Sequence, residues 1–333
     1  MKTHEFAGQG RGGPTGKKSP SLAFLFVGLG LAAAFSLTTC RRESPGTKAE
    51  GPPPNLEALR AQFDFRGRII FQSNLDGDSE IYCLTSDKLV KLTDNDWQDE
   101  YPRCSPDGRR ISFSANPGGK FQIFTMNMDG TDVVQITHSP HDAIEQAWYP
   151  DGARIAYTQE APGRHFSIWV QDLKTGKSEQ LLPQFSASNA LPDFSPSQSL
   201  MGFTAKRLAG WDVYMLDLAT GQWRDLVQGG RSCRPRFSPD GQKIVYVSSQ
   251  ADGKGDIWMM NPDGSEKIRL TERDDVYDYF PSWSPDGKYI VFCSDKLGRL
   301  DRGRWALYLI KVATKRVFPL FDSGRRDLFP EWR

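Results

Sequence analysis

The chain has 333 residues, with 42 Lys and Arg against 41 Asp and Glu and a formal net charge of +1. That balance supplies neither a basic field for nucleic acid nor an acidic one for cationic partners. Aromatics at 12 %, with 31 Gly and 22 Pro, point to many short strands and turns, and the length suits one large domain or two ordinary ones.

The first 66 residues differ from the rest. Residues 1–21 are polar and basic (Lys2, Arg11, Lys17, Lys18), and Leu22–Leu37, "LAFLFVGLGLAAAFSL", is apolar and uncharged. Leu37-Thr38-Thr39-Cys40 follows. This is the layout of a secretory signal over residues 1–40, and its end resembles a bacterial lipobox. The resemblance implies a lipid on Cys40, although Thr39 stands where Gly, Ala or Ser is usual. An uncleaved anchor helix and a conventionally cleaved leader are the alternatives. The apolar run is at the short end for a span, and Arg41-Arg42 argue against a simple cytoplasm-in orientation. All three readings put the body outside the cytoplasm, in the cell envelope. Residues 41–66, with Pro45, Gly46, Gly51 and Pro52-Pro53-Pro54, read as a flexible tether.

From Gly67 onward a repeat emerges. "SPDG" occurs at Ser105–Gly108, Ser238–Gly241 and Ser284–Gly287, "YPDG" at Tyr149–Gly152 and a degenerate "SPSQ" at Ser195–Gln198. Prolines 106, 150, 196, 239 and 285 are thus 44, 46, 43 and 46 residues apart, a period that belongs to propeller blades or helical solenoids. Alternation decides between them. Each turn is followed by a period-2 run ("RISFS", "RIAYT", "LMGFT", "KIVYV", "YIVFC"), then by a second run with an aliphatic–aromatic pair, then by a turn and a short strand. Before each turn lies one more strand: "YPRCS", "QAWYP", "LPDFS", "RPRFS", "FPSWS". Four strands per unit joined by hairpins predict an all-β, six-bladed propeller over residues 67–333. Ser-Pro-Asp-Gly suits a type I turn, so its Asp and Ser read as corner residues, not as chemistry.

The first unit begins with "RIIFQS", which matches a second strand, and so lacks its innermost one. "LFPEW" near the terminus supplies it: Pro330 aligns with Pro102, Pro192, Pro235 and Pro281, and Trp332 with Trp148, Phe194, Phe237 and Trp283. The expectation is a ring closed by the C-terminal strand, which protects open edges.

These blades, written P-x-[WF]-S-P-D-G-x-x-I-x-[FY], resemble the TolB-type β-propeller, from about Gly67 to Trp332. The resemblance implies a scaffold that binds envelope proteins or peptides, the peptidoglycan-associated lipoprotein among them; a complete propeller with no catalytic constellation reads as non-enzymatic, and a monomer is expected. It differs from that family in having a tether where an α/β domain precedes the propeller. A propeller enzyme or binding protein acting on envelope or extracellular polysaccharide is the alternative.

No G-x-S-x-G elbow, Walker loop, HExxH or CxxC pair is present, and no cofactor is expected. "HSPHD" holds His138 and His141, weak candidates for a metal, and reads more simply as a polar loop. Cys83, Cys104, Cys233 and Cys293 read as small apolar filler. The segments entering the inner strands ring one mouth of the channel and carry Asp99, Glu100, Glu145, Arg231, Arg234, Asp275, Tyr277, Asp278, Arg325 and Arg326. Tyr with charge is a binding-surface composition, so these are the partner-binding candidates. An Arg-rich insert, Asp295–Trp305, is expected to offer a second contact site on the other face.

Overall fold

The structure, a computed structural model, describes residues 67–333 except 162, 164, 209, 274 and 296–302. The signal and tether segments, Cys40 included, lie outside the described residues. The described part forms six four-stranded antiparallel sheets. Blade 1 takes β1 (Ile69–Ser73), β2 (Glu80–Leu84) and β3 (Leu89–Lys91). Blade 2 is β4 (Asp99–Cys104), β5 (Arg110–Ala115), β6 (Gln122–Asn127) and β7 (Val134–Gln135). Blade 3 is β8 (Asp142–Trp148), β9 (Arg154–Ala161), β10 (His165–Asp172) and β11 (Ser178–Gln180). Blade 4 is β12 (Asn189–Phe194), β13 (Leu200–Arg207), β14 (Gly210–Asp217) and β15 (Trp223–Val227). Blade 5 is β16 (Ser232–Phe237), β17 (Ile244–Ser248), β18 (Asp256–Met260) and β19 (Ile268–Arg269). Blade 6 is β20 (Tyr277–Trp283), β21 (Tyr289–Asp295), β22 (Trp305–Lys311) and β23 (Arg316–Phe321).

The innermost strand of blade 1 is β24 (Asp327–Trp332), which pairs antiparallel with β1 and sets Ile69 opposite Trp332 and Ser73 opposite Asp327. Arg68 and Arg333 exchange backbone hydrogen bonds in both directions. Gly67 sits at this seam with φ +94°, and a Cβ there would overlap the carbonyl oxygen of Arg333, so only glycine fits. The expected ring closure is therefore present, in the expected register of Pro330 and Trp332.

The core lies between blades. Ile70, Ile81 and Cys83 of blade 1 pack with Cys104, Ile111, Phe113 and Met126 of blade 2, and Val213 and Met215 of blade 4 with Phe237, Ile244 and Tyr246 of blade 5. Burying each large side chain is worth about 2–3 kcal/mol, and the strands' period-2 alternation sends one such face to each neighbour. Indole N–H groups add polar stitches: Trp148 Nε1 donates to the Arg103 carbonyl and Trp283 Nε1 to that of Arg236, both at 3.1 Å. The four cysteines of the described residues are buried free thiols, and Cys233 lies within β16.

The corners behave as their sequence requires. Gly108 N–H donates to the Ser105 carbonyl at 2.9 Å, while Ser105 Oγ donates to Asp107 at 2.6 Å and accepts from Arg110 N–H at 2.9 Å. The Ser238 and Ser284 turns repeat the Ser–Asp bond at 2.5 and 2.7 Å. The Ser105 hydroxyl and the Arg109 N–H hold the Asp107 carboxyl below its ordinary range. In the degenerate copy Gln198 takes the left-handed glycine position, φ 61°.

Candidate functional site

Six inner strands converge on the axis, and each carries a β-bulge at its third or fourth residue. The bulged residues are Tyr101, Glu145, Leu191, Arg234, Phe280 and Phe329, all left-handed with φ between 52° and 60°. Such a backbone costs a non-glycine residue on the order of 1–2 kcal/mol. Neighbouring blades offset part of that cost by capping the freed N–H groups. Gln72 Oε1 accepts from Tyr101 N–H at 2.8 Å, and Thr158 and Thr204 hydroxyls accept from Leu191 and Arg234 N–H at 3.1 Å. In five of the six strands a proline follows the bulge and has no N–H to leave unpaired. The bulge re-aims the strand, and these six side chains line the channel.

Five of the six bulge side chains are linked by contact. Glu145 and Arg234 pair at 2.7 Å, both largely buried. The Arg234 guanidinium lies 4.6 Å from the Phe280 ring centre and 5.2 Å from that of Phe329, while Phe329 packs at 4.0 Å on Phe280 and 4.4 Å on Tyr101. Two residues further along each strand stand Arg103, Ala147, Asp193, Arg236, Ser282 and Glu331. Four of these form a cycle across the axis. Arg103 meets Asp193 at 2.6 Å and Glu331 at 3.6 Å, and Arg236 meets Asp193 at 3.2 Å and also Glu331. Burial raises the Glu331 carboxyl's pKa, but Arg236 and Arg103 more than cancel this and leave it below the ordinary value. The pocket that these side chains line holds about 50 Å³, room for a few waters. It is bordered by Tyr101 Oη, Glu145 Oε2 and Arg234 Nε, buried polar atoms without a protein partner among the described residues.

The structure sorts the ten partner-binding candidates into three sets. Glu145 and Arg234 lie inside the channel, paired to each other. Asp99 and Asp278 are buried under the mouth loops. Asp99 accepts from Asn95 Nδ2 at 2.7 Å, and burial, with Glu80 nearby, pushes its pKa up to about 7 against the pull of Asn95 and Thr93. Asp278 is clasped by Arg273, whose Nε lies 3.2 Å away. Burial raises its pKa despite that cation. The remaining six are at the mouth. Arg231, Asp275 and Arg325 are exposed, and Tyr277, Glu100 and Arg326 are half-buried. Burial raises the Glu100 carboxyl to about 7 in spite of Arg326.

The described end of the 295–305 insert departs from expectation. Arg304 pairs with Asp322 at 2.9 Å and Trp305 bridges the backbone of Arg326. It therefore lies beside the mouth loops, because second-to-third-strand hairpins emerge on the same face as the entries to the inner strands. His138 Nδ1 is 3.1 Å from Gln135 Nε2. Among the described residues no three His, Cys, Asp or Glu side chains are grouped to hold a metal, and no helix is long and apolar enough to cross a membrane.

The Arg103–Asp193–Arg236–Glu331 cycle escaped the sequence reading. Its signal was the slot between the proline and the next buried residue (Cys104, Phe194, Phe237, Trp332) in "YPRCS", "LPDFS", "RPRFS" and "FPEWR", where two Arg and two acids occupy positions that elsewhere hold Ala or Ser.

Comparison with known proteins agrees with this architecture. A TolB homologue of Chlorobium chlorochromatii is 28 % identical over 144 residues, 43 % of this chain and 32 % of its own length. An uncharacterized protein of Agrobacterium fabrum is 27 % identical over 261 residues, 76 % of this chain and 87 % of its own. The chain thus spans about a third of the first relative and most of the second. The crystal structure of TolB from Acinetobacter baumannii superposes with a TM-score of 0.67 at 18 % identity, over 81 % of this chain and 67 % of that one. The family model for the TolB beta propeller domain matches residues 65–210 and 192–301, and the chain belongs to the TolB β-propeller family.

Proposed function

We propose that this protein is a non-enzymatic, membrane-anchored propeller that binds partner proteins or peptides of the bacterial cell envelope at its channel mouth. The observation that carries this reading is the contrast between channel and rim. The channel at the bulges is packed with ion pairs and aromatic rings around a pocket of about 50 Å³. The loops above it present the exposed charges of Arg231, Asp275 and Arg325 beside Tyr277. Binding by such a molecule belongs to the loops, and charge there sets specificity and encounter rate. A lipid on Cys40 would hold the propeller at a membrane surface, and the family makes a peptidoglycan-associated lipoprotein one candidate partner.

A photo-crosslinking side chain placed at Asp275 in cells should capture one defined envelope protein. The same group at Gln242, on the exposed turns of the opposite face, should not. Charge reversal of Arg231, Asp275 and Arg325 together should abolish capture from a neighbouring mouth position. Equal capture from both faces, or capture indifferent to the reversal, sinks the mouth reading. Retention of the Cys40→Ala variant in the membrane fraction sinks the lipid anchor.

A further inference from the structure

Blade 4 carries a cleft of about 810 Å³ on its flank, away from the axis. It opens between the loop that leads into β12, the β13–β14 hairpin and the outer strand β15. Its floor is aromatic: Phe185 meets Tyr214 at 5.7 Å and Trp223 at 5.3 Å, edge-on in both cases. Trp223 keeps 40 % of its surface exposed, and Leu208, wholly exposed, stands at the lip. Two of the five large exposed hydrophobic side chains among the described residues thus border one cleft, where scattered exposure would be unremarkable.

The polar lining is of a particular kind. Gln184 and Ser186 are side chains that both donate and accept hydrogen bonds, which matches hydroxyl groups better than it matches a hydrocarbon, while the Ser188 hydroxyl already accepts from Phe166 N–H at 3.2 Å. Asp225 is already engaged by Arg207 and by Gln228 Nε2 at 3.1 Å. Lys206 is exposed and forms no ion pair among the described residues, so the lining carries one uncompensated positive charge. An exposed indole offers a flat π face to a ring's C–H surface, and pockets of this size with an apolar floor and few oriented polar groups are the common form of small-ligand sites.

We propose that this cleft binds a carboxylated sugar: a pyranose unit stacks on Trp223, its hydroxyls meet the Gln and Ser side chains, and its carboxylate faces Lys206. The cleft opens on the mouth face at blade 4 but shares no lining residue with the ten partner-binding candidates, so its failure would leave the partner-binding reading intact.

The test titrates the full chain with trigalacturonate and with neutral maltotriose, following tryptophan fluorescence and heat. The charged trisaccharide should bind at least about fivefold more tightly than the neutral one, falling off with salt. Trp223→Ala should weaken binding by about tenfold or more, as truncating a stacked aromatic anchor does, and Lys206→Gln should erase the preference for the carboxylated sugar. If Trp223→Ala fails to fold, Lys206→Gln decides alone. The proposal is overturned if neither sugar binds at about 10 mM, a ceiling weaker than any useful site. It is also overturned if binding ignores both substitutions, or if hexaglutamate binds in preference to the sugar.

Discussion

Arg103, Asp193, Arg236 and Glu331 come from four different blades, and each touches two of the others. An arrangement of alternating sign has no spare charge, so removing one member leaves a buried ion half-compensated. Arg103→Met should therefore destabilise the protein by roughly 3–5 kcal/mol, read as a lowered denaturant midpoint with unchanged m-value. An Arg103/Asp193 double-mutant cycle should return a favourable coupling. A cost below about 1 kcal/mol, the level of a surface pair, would mean the cycle is solvated. This cycle was written in the sequence only as four charged residues in a slot otherwise small. Its paired residues lie 43 to 228 positions apart in the chain, and a strand's alternation does not tell which face a bulge turns to the axis. Asp99 and Asp278 failed to be legible for a related reason: a charge in the first two positions of a strand reads as exposed, whereas here each sits beneath a loop that supplies its hydrogen-bond donors.

At the scale of elements, the blades were legible throughout, because five copies of one turn fix the phase of every strand around it. The missing first strand in blade 1 and the surplus last strand then had a single solution, and β24 fills it. What could not be read was the tolerance of the seam. Gly67 looks like one glycine among 31, yet its Cβ has no room beside Arg333. Gly67→Ala should lower the melting temperature by several degrees, as roughly 1–2 kcal/mol does in a domain of this size. Deletion of Leu328–Arg333 should abolish the cooperative transition, because it leaves β1 with an open edge and strips Trp332 and Leu328 from the core. A truncated protein that melts like the intact one would show that blade 1 does not need β24.

For the whole molecule, several wholly or partly buried carboxyls near the mouth have raised pKa values: Asp99, Glu100 and Asp256 at about 7 and Asp327 at about 6. Each binds its proton more tightly in the folded state than in the unfolded chain. The stability they contribute is fully present below about pH 4, near the unfolded carboxylate value, and is lost as pH rises through 6 to 7. The turn aspartates and Glu331 work in the opposite sense, losing their contribution as pH falls below about 4. Stability should therefore peak in mildly acidic solution and decline toward pH 8. Asp99→Asn, which keeps an acceptor for Asn95 and mimics the protonated acid, should flatten that decline by roughly 1–3 kcal/mol. Parallel pH–stability curves for the variant and the parent would remove Asp99 from the account.

The seam between β1 and β24 also has a place in time. Ser73 Oγ donates to Asp327 at 2.7 Å across 254 residues. At a synthesis rate of about 5–20 residues per second, the partner strand leaves the ribosome on the order of ten to fifty seconds after β1 does. Throughout that interval the first sheet is a three-stranded piece with an unpaired inner edge. Pairing two strands so far apart in sequence is intrinsically slow, and until β24 arrives the inner edge of β1 stays open to chaperones.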